Sequence, residues 1–339
     1  MIIFSKKISK VLAVILSCVF IVGLVGCGGN ENKTEKETLV FADPGWDSVK
    51  VHNSIAQTII EEGFGYPTEV KPGSTPITFT GLRNGDIDIY MELWTDNLIE
   101  DYNEALDKKE VIELSTNFDD NTQGLFVPTY VIEGDKERGI EPIAPNLKTI
   151  QDLKKYPELF KDEEDPDKGR IYGAPTGWAV DEILQAKVKN YGLNETFNYF
   201  SPGSGTSLAA SLAAAIEKGE PWVGYYWTPT WVSGKYDITL LEDKEYSDEL
   251  WNNGYACEFK PCDVTVVVNK DLPNEAEDVV EFLRNYKTNS KLTSEILAYM
   301  QNNEASVEEA AIWFLKEKED VWGNWVSDEV KQKVKAVIK

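Results

Sequence analysis

The chain has 339 residues, with 58 acidic against 34 basic side chains and a formal charge of −24 at pH 7. A surface this negative argues against a nucleic-acid partner and against broad adsorption to anionic lipid; it permits a cationic ligand without requiring one. Of four cysteines two are assigned to the leader region below, and the remaining two with one histidine fall short of the four Cys and His ligands of a structural zinc site. No metal site and no cofactor are expected.

Residues 1–26 read as a secretory leader. Lys6, Lys7 and Lys10 form its positive start, Val11 to Val25 its apolar stretch, and Leu24-Val25-Gly26 precede Cys27. The apolar run is short for a membrane span. Loss of the three lysines takes the formal charge from −24 to −27. Gly28 to Lys36 is polar and aperiodic, and reads as a tether. Cys18 leaves with the leader, so Cys257 and Cys262 remain; their C-E-F-K-P-C spacing suits a small disulfide loop or two unpaired thiols.

Strand-like and helix-like runs then alternate, which points to the α/β class. Leu39 to Trp46 is a first strand and turn. Ser48 to Gly63 carries Ile55, Ala56, Ile59 and Ile60 on one helix face. Thr68 to Lys71 is a short strand stopped by Pro72, and Asp86 to Leu93 is another. Gly203-Ser204-Gly205-Thr206 opens an Ala-rich helix over Ser207 to Lys218, better read as a capping turn than as an anion cradle. The tail is helical over Glu275–Tyr286, Lys291–Asn302, Ser306–Lys316 and Ser327–Ile338. Two extended segments, Gly124–Glu133 and Asp263–Lys270, flank a self-contained α/β block. They read as crossings between one lobe over 38–131 and 264–339 and a second over 132–263, with 27–37 as the anchored linker.

Four of the short apolar runs end in a tryptophan: Trp46, Trp94, Trp178 and Trp227. Ligands of open α/β sheets bind beyond the carboxyl ends of the strands. Indoles gathered there form an aromatic cage, which suits a quaternary ammonium cation. The competing reading is that each indole is core packing; their shared placement after strands favours the cage. Trp222, Trp231, Trp251, Trp313, Trp322 and Trp325 lack that placement and read as core. Asp47 either faces the cation or caps the helix behind it. His52, alone and inside a helix, reads as structural.

Taken together, these residues resemble the substrate-binding proteins of ABC importers for glycine betaine, proline betaine and choline. The resemblance rests on the lipobox ending in Cys27, Gly45-Trp46-Asp47 opening a helix, and Gly85-Asp86-Ile87-Asp88 running into Trp94. It rests further on Gly173-Ala174-Pro175-Thr176-Gly177-Trp178, on Gly203-Ser204-Gly205, and on Tyr225-Tyr226-Trp227-Thr228-Pro229-Thr230-Trp231. It implies a two-lobed periplasmic-binding-protein fold of type II that closes on its ligand, with Cys27 lipidated as the anchor to the bacterial cell membrane. Trp94, Trp178 and Trp227 fall where betaine binders place cage indoles, and Trp46 where choline binders place one. Ala179 and Val180 fall where backbone N–H groups meet a ligand carboxylate, and Tyr130 is a further candidate ring. The His that some betaine binders carry after the Trp94 position is absent; the stretch reads Thr95-Asp96-Asn97-Leu98.

The resulting expectation is a monomeric extracytoplasmic receptor, not an enzyme. It would take glycine betaine, with choline or carnitine as alternatives, and deliver it to a membrane permease. An exported sugar-active enzyme is the rival from another class, since indoles also stack on pyranose rings; it needs a catalytic carboxyl pair, and Asp86 with Asp88 reads more simply as a polar strand edge. A purely structural surface lipoprotein is a third possibility.

Overall fold

The computed structural model describes residues 36–339. The leader, Cys27 and all but the end of the tether lie outside the described residues.

Two five-stranded sheets organise the chain. The strands are β1 (Leu39–Asp43), β2 (Thr68–Pro72), β3 (Ile89–Trp94), β4 (Val111–Phe118), β5 (Thr122–Pro128), β6 (Gly169–Tyr172), β7 (Phe197–Phe200), β8 (Gly224–Thr228), β9 (Ile238–Leu240) and β10 (Val264–Asn269). The first sheet runs β2-β1-β3-β10-β4 and the second β7-β6-β8-β5-β9. In each, three strands pair in parallel: β1 with β2 and β3, and β6 with β7 and β8. The strand that enters each sheet from the other lobe lies antiparallel to its neighbours, β10 beside β3 and β4, and β5 beside β8 and β9. Both sheets are therefore mixed, with parallel strands that demand crossover helices.

In the first lobe those helices are α1 (Asp47–Ile59), α2 (Thr75–Asn84) and α3 (Ile99–Asp107). After the short α4 (Thr129–Glu133), the second lobe uses α5 (Ala179–Asn190) and α6 (Gly205–Lys218). Ser204 caps α6, its hydroxyl accepting the Ser207 N–H at 3.1 Å, as the turn chemistry suggested. Helices at Glu277–Asn285, Ser290–Asn302, Val307–Glu317 and Asp328–Val337 return to the first lobe. There Phe282, Ile296 and Phe314 join Val51, Ile55 and Phe41 in one core. The opposite face of that sheet packs Phe79, Leu82 and Tyr102 against Ala42 and Tyr90.

The crossing into the second sheet falls between Phe118 and Thr122, ahead of the boundary expected at residue 131. Gly124–Glu133 is not one extended crossing: its first half belongs to β5, inside the second sheet, and Thr129–Glu133 turns helical. The return crossing comes just before Val264. The two passages lie side by side, because the Asn121 amide donates to the Cys262 carbonyl at 2.6 Å and accepts the Cys262 N–H at 3.0 Å.

Cys257 and Cys262 are both buried free thiols, so the disulfide alternative is corrected. Cys262 sits in this crossing, accepting the Asp96 N–H at 3.4 Å, whereas Cys257 packs with Ile183 and Trp251 beside α5.

A buried ion pair pins the second lobe. Lys187, on α5, reaches Asp243 at 2.7 Å with both side chains under 5 % exposed; the Cys257 carbonyl accepts from the same ammonium, and the Tyr191 hydroxyl donates to Asp243. Removing one member strands the other charge out of water. Lys187→Ala is expected to cost about 3–5 kcal/mol in urea unfolding; an unchanged midpoint would show the pair to be dispensable.

Candidate functional site

Two helices begin at the same gap. Trp46 is the N-cap residue of α1 and Trp178 that of α5, and neither helix receives a side-chain cap. Trp94 ends β3 and Trp227 lies next to the end of β8. Each indole thus sits where a strand delivers its chain to the crevice. Gly177 holds the turn before Trp178 at φ +97, and its carbonyl accepts the Thr75 N–H across the gap at 3.0 Å.

The four indoles converge. The Trp178 ring stands edge-on to Trp46 at 5.4 Å and to Trp227 at 5.2 Å, with interplanar angles of 81° and 83°. Trp94, together with these three, Tyr225, Ala179 and Val180, lines one common space. Tyr225 stacks on Trp227 at 5.7 Å, and Phe118 backs Trp94 at 5.9 Å. All four indoles are 7–9 % exposed, with some of that surface turned into the space. Gly205 lets Trp178 lie this close to α6, since a Cβ there would come within 3.0 Å of the ring.

The polar groups are few. The Ala179 and Val180 N–H groups lie in the first turn of α5, where a helix offers donors with no internal acceptor. Asn97 and Leu98 line the wall where a His was missing; the Asn97 amide pairs with Gln123, and Gln123 accepts from the Tyr225 hydroxyl at 3.0 Å. A wider cleft adjoins the space, sharing Thr75, Asn97, Trp178 and Ala179, and carries Asp96, Glu100, Asp101, Asp181 and Glu182. Its carboxylates give the approach a negative potential that favours a cation.

Behind the wall lies Glu92, wholly buried. Its Oε1 accepts from the Trp46 indole N–H at 2.8 Å, the Trp94 indole N–H at 3.0 Å and the Ser48 hydroxyl at 2.9 Å. A register irregularity aims it there. Thr265 faces Leu93 while Val267 faces Tyr90, so β3 carries one residue more than β10 over this stretch. The extra residue breaks strict alternation, and Met91 and Glu92 both meet the α1 side. Oε2 has no hydrogen-bond partner and lies 4.0 Å from His52 Nε2. His52 in turn pairs with the Tyr286 hydroxyl at 2.8 Å.

Burial pushes the His52 imidazole down to about 3 and the Glu92 carboxyl up to about 7, the latter against the pull of its three donors. Folded His52 stays neutral while the unfolded chain takes up a proton below about 6.5, so stability is lost as pH falls toward about 3. Glu92 acts oppositely: its contribution is present below about 4.5 and lost as pH rises to about 7. Below about 4.5, of these two groups only His52 still changes the balance. His52→Asn is therefore expected to flatten the decline of the urea midpoint between about pH 4.5 and 3; equal declines in both proteins would contradict a neutral buried imidazole.

Among the residues expected at the site, the structure brings together Trp46, Trp94, Trp178, Ala179, Val180 and Trp227. Tyr130 is not among them. It is buried in the second lobe with its hydroxyl donating to the Ala215 and Glu220 carbonyls. The resemblance offered it as a further cage ring, but α4 turns it into the lobe interior. Asp47 lines an adjoining space with Trp46, Trp227 and Trp231; burial pushes the pKa of its carboxyl up. The residues that sequence reasoning missed are Glu92, Asn97, Thr75 and Tyr225. Glu92 had a visible sign, a carboxylate within the otherwise apolar run Ile-Tyr-Met-Glu-Leu-Trp. Tyr225 had another, two residues before Trp227 and therefore on the same strand face.

Residues 37–317 match the profile described as the substrate-binding domain of ABC-type glycine betaine transport systems. A trimethylamine N-oxide-binding protein of Pelagibacter ubique is 22 % identical over 325 residues, covering 94 % of this chain and 98 % of that one. A choline-binding protein of an ABC transporter, solved with choline, superposes with a TM-score of 0.71 at 22 % identity, over 89 % of this chain and 98 % of its own. The closed lactococcal OpuAC with glycine betaine gives 0.67 at 18 % identity, over 86 % and 100 %. These structures share the two-lobed periplasmic-binding-protein architecture. The chain belongs to the family of substrate-binding domains of ABC-type glycine betaine importers, a binding protein and not an enzyme.

Proposed function

We propose that this protein holds a compact trimethylammonium solute, glycine betaine in first place, outside the cytoplasm and passes it to an ABC permease. The observation that carries this is the convergence of Trp46, Trp94, Trp178 and Trp227 on one space. A trimethylammonium head has no N–H to donate, so hydrogen bonds cannot recognise it; indole faces can, at about 0.5–2 kcal/mol per desolvated contact. In this reading the Ala179 and Val180 N–H groups take the carboxylate of betaine, and the paired amides of Asn97 and Gln123 supply the polarity that a His would otherwise bring.

Relatives named for trimethylamine N-oxide and carnitine, and a solved structure holding choline, share the methylated nitrogen as the common feature. Choline is the leading alternative ligand, because Asp47 stands beside the cage where a hydroxyl or a net positive charge finds a partner. Lipidation at Cys27, a monomeric state, and closure of the two lobes upon the ligand complete the proposal.

Calorimetric titration with glycine betaine, proline betaine, choline, carnitine and trimethylamine N-oxide tests it. Trp178→Ala and Trp227→Ala are each expected to weaken the best ligand at least about tenfold, a loss of about 1.4 kcal/mol, with unchanged circular dichroism. Unchanged affinity in both variants would remove the cage.

A further inference from the structure

Resting on that reading of the cage, we infer that Glu92 is its positioning residue and the source of its preference for positive charge: one buried carboxylate clamps two indoles and places an uncompensated negative charge behind them.

The clamp is geometric. Trp46 comes from the start of α1 and Trp94 from the end of β3, and their rings otherwise pack against different partners, Trp178 and Phe118. Both indole N–H groups, with the Ser48 hydroxyl, converge on the single atom Oε1 of Glu92. An indole bound in this way has its N–H edge turned inward, which leaves its other edge and its faces for the cavity. An N–H donated to an anion also pushes electron density into the ring, strengthening the negative face that meets a cation.

The charge is unmatched. Among the described residues, no lysine or arginine pairs with Glu92. The groups facing it are Trp46, Ser48 and His52 from the α1 segment, Trp94 from its own strand, and, through His52, Tyr286 and the Thr293 hydroxyl from the C-terminal helices, with Tyr90 of the same strand within electrostatic reach. His52 is held neutral by burial, and burial also keeps the Tyr286 hydroxyl protonated. A buried carboxylate without a cation is costly, and Glu92 compromises by titrating up at about 7. A cation in the cage supplies the missing countercharge. Binding therefore favours the ionised carboxylate, so the two events are linked: the ligand expels a proton, and affinity rises as pH climbs through about 7.

Calorimetry of wild type, Glu92→Gln and Trp46→Phe with choline tests this at about pH 6, 7 and 8, in buffers of differing ionisation heat. Wild type is expected to tighten up to about tenfold over this range, the effect of a one-unit pKa displacement, and to release a fraction of a proton at the lower end. Glu92→Gln, whose amide oxygen still accepts from the indoles, is expected to bind more weakly at the higher pH and to lose both the pH dependence and the proton release. Trp46→Phe removes one donor from the carboxylate, so its profile is expected to move to higher pH; this arm decides the matter if Glu92→Gln does not fold. A flat wild-type profile without proton release overturns the inference while leaving the cage intact. So does a dependence that survives in Glu92→Gln. Wild type that binds none of the quaternary amines removes the cage, and this inference with it.

Discussion

Trp178 is the point through which the halves of the site meet. Its ring stands edge-on to an indole of the first lobe, Trp46, and to one of the second, Trp227. A cation that offers no hydrogen-bond donor must be held by faces, and faces from one lobe alone cannot surround it. Hence the requirement for two sheets, for helices from both that begin at one gap, and for Gly205, whose missing side chain leaves room for the central ring. The fold's mixed sheets, each completed by a strand that has just crossed from the other lobe, are what bring those helix starts together.

Much of this was legible in the residues. Strand ends followed by tryptophan located the indoles, because strand-then-turn geometry is local, and alternation of apolar runs with amphipathic ones identified the α/β class. The later helices were found within a residue or two; three of the four begin at a Ser or Asn cap, Ser306 forming a full capping box with Glu309, whereas Glu277–Asn285 starts without a side-chain cap. What failed was anything depending on pairing between distant strands. Thr122–Pro128 gives no local sign of which sheet it joins, so the first crossing was set late; Tyr130, offered to the site by the resemblance alone, belongs to the interior.

Glu92 illustrates a subtler loss. Period-two alternation assigns successive residues to opposite faces, and an inserted residue in β3 defeats that rule at the position that matters. The carboxylate's partners lie 46 residues upstream and two downstream, so neither spacing nor composition brings them together. Its oddity in an apolar strand was visible; its purpose was not. Cys257 and Cys262 show the reverse case, a suggestive spacing that the path of the chain leaves as two thiols in separate surroundings.

The reciprocal amide pairing of Asn121 with Cys262 has a mechanical meaning. Two connecting chains that are laced to each other do not twist separately. That lacing extends to the binding wall: the Thr95 hydroxyl donates to the Asp263 carbonyl at 2.9 Å and the Asp96 N–H reaches Cys262 Sγ, while the next two residues, Asn97 and Leu98, face the cavity. On the proposed closure of the lobes upon the ligand, a solute too bulky to let that short stretch settle would hold the jaws ajar.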